Sequence, residues 1–245
     1  MQEFKVLGVK INCLPEHLAK ELLFDFLNSA GQHQIATVNP EFILEAQKNK
    51  NFKNTLNETS LSTIDGTGIV WALQLAGHKV SLADRITGVR LTQMLIQIAE
   101  IKEHRILFCI RPDGLTSPEK ITNFLKTKYP KLKFQISNSS ETLFQAQTWQ
   151  PAILLVALGA PVQEQWIADN LNSMPSVKIA VGIGGALDFL SGTFKKAPKI
   201  FSSFGLEWLW RLIKQPIDRG FSKRIKRIFK AVIVFPFFVI KDKIK

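Results

Sequence analysis

The run Ala152-Ile153-Leu154-Leu155-Val156-Ala157-Leu158 contains no polar residue. A strand with one wet face alternates apolar and polar residues, so an unbroken apolar run marks a strand covered on both faces. Coverage of that kind comes from helices packed on either side of a parallel sheet, and this one segment therefore predicts an α/β fold. The same strand-then-helix rhythm recurs along the chain. Ile35 to Val38 runs into Asn39-Pro40, and Leu61 to Ile64 leads through Asp65-Gly66-Thr67-Gly68 into Ile69-Val70-Trp71-Ala72-Leu73. Arg105 to Ile110 precedes a helix around Lys120 to Lys128, and Lys178 to Val181 precedes Gly182-Ile183-Gly184-Gly185. After Leu158, Gly159-Ala160 turns the chain and Pro161 suits the first position of a helix.

A chain of 245 residues, 46% apolar and 21% charged, supplies one sizeable domain with an appendage. The expected body, residues 1–200, is a Rossmann-like, mainly parallel sheet flanked by helices. Residues 201–245 are expected to form a C-terminal basic amphipathic helical appendage rich in Trp and Phe. From Lys214 to Lys245, ten Lys/Arg against Asp218 and Asp242 give +8 of the total +12, so the cationic excess sits on the tail. Such a tail suits an anionic membrane surface or nucleic acid. Its apolar content is too high for a solvated nucleic-acid arm, which favours the membrane. The longest apolar run near the end, Ala231 to Ile240, falls short of the roughly 18–20 residues that span a bilayer and contains Pro236.

The N-terminus, Met1-Gln2-Glu3-Phe4-Lys5, lacks the basic flank and apolar core of a secretory signal, so a cytoplasmic chain is expected. Cys13 and Cys109 have no metal-ligand spacing and no Asp-x-Asp occurs, which leaves no evident site for a metal-held diphosphate.

In open α/β sheets, ligands bind beyond the carboxyl ends of the strands. Thr37 and Asn39, then Asp65, then Gln163 and Glu164, then the glycines at 182, 184 and 185 all fall there. Convergence of these four loops would make one cleft. Each residue also has a plainer role. Asn39 before Pro40 is a good helix cap, Asp65 could cap the helix that follows it, and the glycines could only turn the chain. Ala160 is a poor cap, which would leave the Val162 and Gln163 N–H groups for a ligand. Trp71, Trp166, Phe24 and Phe189 fall in helical apolar patterns and are expected in the core. Arg85, Arg211, Arg219 and Arg224 are available to meet a leaving diphosphate.

Taken together, the segments Thr37-Val38-Asn39-Pro40-Glu41, Asp65-Gly66-Thr67-Gly68-Ile69-Val70, Arg85-Ile86-Thr87-Gly88, Leu158-Gly159-Ala160-Pro161-Val162-Gln163-Glu164, Gly182 to Phe189, Ala197-Pro198 and Gly205 to Leu212 resemble the WecG/TagA/CpsF family of bacterial glycosyltransferases. They occur in the family's order. The resemblance implies inverting, metal-independent transfer from a UDP-sugar, N-acetylmannosamine or a related hexose, to an N-acetylglucosamine carried on undecaprenyl diphosphate, for cell-surface polysaccharide. The chain would work peripherally on the inner face of the plasma membrane, with no cofactor. Asp65 would be the general base, with Thr37 and Asn39 positioning substrate. Arg85, Gln163, Glu164, Gly184 and Gly185 would line the cleft, and the appendage would bring Arg211, Arg219 and Arg224 to the diphosphate.

A helix N-terminus beside Asp65 would keep it ionised, so that orientation carries most of its effect. The chain departs from the family's pattern at Arg111-Pro112-Asp113-Gly114, where a glycine pair is usual, and near Asn138-Ser139-Ser140. It departs again at Arg90, where an acidic residue is common, at Val162 and at Ala152. The donor sugar, the acceptor and assembly into a homo-oligomer stay open. A nucleic-acid binder without transferase activity and a nucleotide-binding oxidoreductase are the competing readings, the latter lacking a full glycine fingerprint.

Overall fold

The computed structural model describes residues 1–194 and 229–243. It opens with an antiparallel hairpin, β1 (Gln2–Val6) and β2 (Val9–Cys13), followed by α1 (Glu16–Asn28). Strand-helix units follow: β3 (His33–Val38) with α2 (Pro40–Ala46) and α3 (Lys50–Glu58), then β4 (Leu61–Ile64) with α4 (Thr67–Leu75) and α5 (Gly88–Lys102). Next come β5 (Arg105–Ile110) and α6 (Pro118–Lys128), β6 (Lys133–Ser137) and α7 (Thr142–Trp149), β7 (Ile153–Ala157) and α8 (Val162–Asn170), and β8 (Ile179–Gly182) with the short α9 (Ala186–Leu190). A π-helical turn, Lys230–Val234, leads into α10 (Phe235–Lys243).

Six strands form one parallel sheet in the order β4-β3-β8-β7-β5-β6. The chain builds one half with β3 and β4, crosses to build the other with β5, β6 and β7, and returns to the centre with β8. Thr37 pairs with Thr63 and Val38 with Ile64, so the loops after β3 and β4 leave the sheet side by side.

Burial on both faces, expected from the run at 152–158, is what the strands show. Ile153 and Leu155 face one apolar cluster with Leu91, Leu95 and Ile121, whereas Leu154 and Val156 face another with Ile167 and Met174. A third cluster joins the hairpin, α2, α3 and α4 to the C-terminal helix. The free edge of β4 is covered too, since Asn12 of β2 accepts a hydrogen bond from the Ser62 N–H at 2.8 Å.

Two local expectations are corrected. Helix α8 begins at Val162 with Pro161 in the cap position, and the Gln163 N–H donates to Gly159 O at 3.0 Å, so it is not held out for a ligand. Trp71 is 37% exposed. Helix α4 is apolar nearly all round, and its buried face is taken by Ile69, Val70, Ala72 and Leu73, which turns Trp71 outward. Trp166 and Phe24 do pack against the core as expected, each half-buried. The boundary expected near residue 200 lies outside the described residues.

The C-terminal helix docks by one stripe. Phe235 is fully buried and Val239 nearly so, both within the cluster containing α2 and α4. Phe235 reaches Gly68, where an added β-carbon would lie 3.5 Å from its ring and 2.7 Å from Pro40 Cγ. Removing a buried Phe ring costs about 3–5 kcal/mol in a core, more than a short terminal helix can hold by itself. Phe235→Ala is expected to release residues 229–243: amide exchange there should rise to surface rates while β5 and β7 stay protected.

Candidate active site

The carboxyl ends of β3, β4 and β8 bring Thr37, Asp65 and the 183–185 loop together, and the point where they meet is Gly88. Segment 86–88 is stitched to β4: the Ile86 N–H donates to Ile64 O at 3.1 Å and Thr63 Oγ1 to Ile86 O at 2.8 Å. That places the first turn of α5 against Asp65, whose Oδ2 accepts from the Gly88 N–H at 3.1 Å. A β-carbon at Gly88 would lie 3.2 Å from Thr37 Oγ1, 3.6 Å from Asp65 Oδ2 and 3.9 Å from Ile183 O. The first of these is tighter than an ordinary contact, so a side chain at 88 would press on the Thr37 hydroxyl, while the other two groups lie at contact distance.

Asp65 therefore meets a helix N-terminus, but not that of the helix following it. The cap of α4 is Gly66, which makes no side-chain cap bond, and Asp65 reaches across to α5 instead. The capping expectation for Asp65 is corrected in that respect. The Arg85-Ile86-Thr87-Gly88 motif was visible in the sequence, whereas the role of the Gly88 N–H depends on a contact 23 positions away along the chain.

Asn39 is the cap of α2 that its neighbours Pro40 and Glu41 suggest. Its Oδ1 accepts from the N–H groups of Glu41 at 2.9 Å and Phe42 at 3.1 Å. Replacing such a cap costs about 0.5–2 kcal/mol, so any effect of Asn39 on turnover has to be read beside its effect on stability. Thr37 is 5% exposed, and its hydroxyl makes no hydrogen bond with a described residue. Arg85 follows the 3-10 turn Leu82–Asp84 and donates from Nε to Leu82 O at 3.4 Å.

Gln163 and Glu164 turn inward. Gln163 Oε1 accepts from the N–H groups of Gly159 at 3.0 Å and Gly184 at 3.1 Å, and its Nε2 donates to Glu164 Oε1 at 2.6 Å. The Gly184 N–H is thus occupied by Gln163, and Gly185 forms the start of α9, with its carbonyl accepting from the Asp188 N–H at 3.2 Å. Arg211, Arg219 and Arg224 lie outside the described residues.

Departures from the family pattern find local partners. Arg90 makes a two-pronged bond to Glu16 of α1, at 2.7 and 2.5 Å, and that bond, helped by Lys20 against a smaller desolvation cost, holds the Glu16 carboxyl at about 2. Arg111 pairs with Asp113 at 2.5 Å on the exposed loop after β5. An exposed pair of that kind contributes about 0–1 kcal/mol, so it shapes the loop more than it stabilises the fold.

Glu164 is fully buried, and its burial raises the carboxyl from 4.5 to about 7, against a lesser pull downward from the Gln163 hydrogen bond. The folded form holds this proton more tightly than the unfolded form. Its stability contribution is therefore complete below pH 4.5 and is lost as pH rises through about 7. At 1.36 kcal/mol per unit the loss approaches about 3 kcal/mol. Urea titrations should show Glu164→Gln gaining stability relative to the parent between pH 5 and 8; parallel curves across that window would deny the raised carboxyl.

The sequence matches the family described as Glycosyl transferase WecG/TagA/CpsF over residues 4–245. A Staphylococcus aureus (strain MRSA252) protein named N-acetylglucosaminyldiphosphoundecaprenol N-acetyl-beta-D-mannosaminyltransferase is 31% identical over 221 residues, spanning 86% of this chain and 81% of that protein. Proteins of the same name from strains NCTC 8325 / PS 47 and COL are 30% identical over the same shares.

Proposed function

We propose, from the premise that this chain belongs to the WecG/TagA/CpsF family and is a glycosyltransferase, that it moves a hexose, N-acetylmannosamine or a close relative, from a UDP-sugar to a polyprenyl-diphosphate-linked N-acetylglucosamine. The transfer proceeds with inversion and without a metal ion, at the cytoplasmic face of the membrane. The observation that carries this reading is the meeting of the Asp65 carboxylate and the Thr37 hydroxyl at Gly88.

In the proposed step Asp65 takes the proton from an acceptor hydroxyl as that oxygen bonds to the anomeric carbon. The bond from that carbon to the diphosphate breaks on the opposite face, and its electron pair leaves with UDP. The Gly88 N–H fixes the direction of the carboxylate, so the base is oriented before substrate arrives. Thr37, with a hydroxyl unspent on described residues, and Asn39, at the head of α2, position the sugars. The departing charge falls to Arg85 and to Arg211, Arg219 and Arg224 of the tail, since guanidinium groups match phosphate oxygens in pairs. Lack of an Asp-x-Asp sequence supports a metal-free route.

The C-terminal helix supports the membrane side of the reading. Phe229, Ile233, Phe237 and Ile240 are 45–62% exposed and follow one another at helical spacing, away from the docked Phe235 and Val239. Exposed Lys230 and Lys241 flank this stripe. An apolar stripe edged by lysines lies in the lipid interface, and a solvated nucleic-acid arm has no use for it. No helix among the described residues is long and apolar enough to cross a membrane.

A panel of UDP-sugars offered with a short lipid-diphosphate-N-acetylglucosamine acceptor should yield one product of inverted stereochemistry, unaffected by a chelator. Asp65→Asn should lower kcat by about 10²–10⁴-fold, the span of a general base, while donor binding and melting temperature hold. Near-normal turnover in that variant would remove Asp65 from the base role.

A further inference from the structure

Gln163 and Glu164 stand side by side in the first turn of α8, 2% and 0% exposed. The carboxamide oxygen of Gln163 accepts from Gly159 in the turn after β7 and from Gly184 in the turn after β8. With the oxygen so used, the amide nitrogen must point the other way, and the acceptor waiting there is Glu164 Oε1 at 2.6 Å. The start of α8 is also tied to β3, the strand that carries Thr37, because Gln34 Nε2 donates to Glu164 O at 2.9 Å. Ile183, the residue before Gly184, presents the carbonyl that approaches Gly88.

The fit leaves no slack. A β-carbon at Gly182 would fall 2.4 Å from Glu164 Oε1 and 2.6 Å from Gln163 Nε2. Glu164 nevertheless makes a poor core residue, since its second carboxyl oxygen is buried without a hydrogen-bond partner among the described residues. A buried polar group left half-satisfied costs stability. Its use then lies in what the satisfied oxygen does. We propose that Glu164 is a positioning residue for the transfer: it fixes the orientation of the Gln163 carboxamide, which in turn locks the Gly159 and Gly184 turns and sets the Ile183 carbonyl beside the Asp65–Gly88 pair.

This assignment rests on the transferase reading for its purpose but not for its geometry, and the test separates the two. Glu164→Leu removes the acceptor, and Glu164→Gln keeps an acceptor oxygen in place. The backbone amides of Gly159 and Gly184 are followed by NMR hydrogen exchange, and turnover by the UDP-sugar assay. In Glu164→Leu both amides should exchange at least tenfold faster and kcat/KM should fall at least tenfold, in a chain that still melts cooperatively. Glu164→Gln should restore both. Slow exchange and full turnover in a folded Glu164→Leu, or failure of Glu164→Gln to restore either quantity, would overturn the assignment. If the wild-type chain transfers no sugar, the transferase reading fails while the exchange rates still judge the clamp. Should Glu164→Leu not fold, the exchange pattern and turnover of Glu164→Gln decide alone.

Discussion

Burial of both faces of the sheet is the constraint on which everything else depends. Strands such as Ile153–Ala157 and Arg105–Ile110 send alternate side chains into opposite apolar clusters, so little room is left along their length for a polar group. Chemistry is pushed past the strand ends, into the turns. The parallel register then decides which turns meet. Because Val38 and Ile64 end level, Asn39 and Asp65 emerge as neighbours although 26 positions separate them in the chain (65 − 39). The late return of β8 to the middle of the sheet brings a third turn to the same place.

Much of this arrangement was legible in the amino-acid sequence, and the reason is physical. Unbroken apolar runs reveal doubly covered strands, and the strands at Leu61–Ile64 and Arg105–Ile110 have the bounds the runs suggest. Asn39-Pro40-Glu41 spells a helix start through local chemistry alone, and Asn39 caps its helix accordingly. What local chemistry could not supply was the destination of side chains whose partners lie far along the chain. Asp65 looked like the cap of its own helix and instead serves the next one. Pro161 resembled the first residue of a helix and occupies the cap, where the Gln163 N–H already has a partner. Trp71 showed the limit of periodicity in a helix with apolar residues on every side, since hydrophobicity alone cannot choose the buried face.

The same distinction separates the groups around the site. Thr37 and Asp65 present polar atoms at the strand ends. Gln163, drawn from the same motif-rich segments, spends its oxygen on the backbone of adjoining turns, and Glu164 spends one of its own on the Gln163 amide. A motif read as a string of letters joins these classes, whereas burial divides them. Arg90 adds a related point, because its bond to Glu16 gives the cation a structural occupation where an acidic residue is common in the family.

Phe235 against Gly68 carries a consequence for how this chain can diverge. Gly68 lies three residues beyond Asp65, and the space a side chain there would need is held by Pro40 from α2 and by Phe235 from the last helix. Even an alanine at 68 requires residue 40 to give way, and a side chain reaching past its β-carbon meets the Phe235 ring as well. Positions at the two ends of the chain are thereby bound into one unit of variation. The helix that offers the exposed stripe cannot drift independently of the turn that bears the carboxylate.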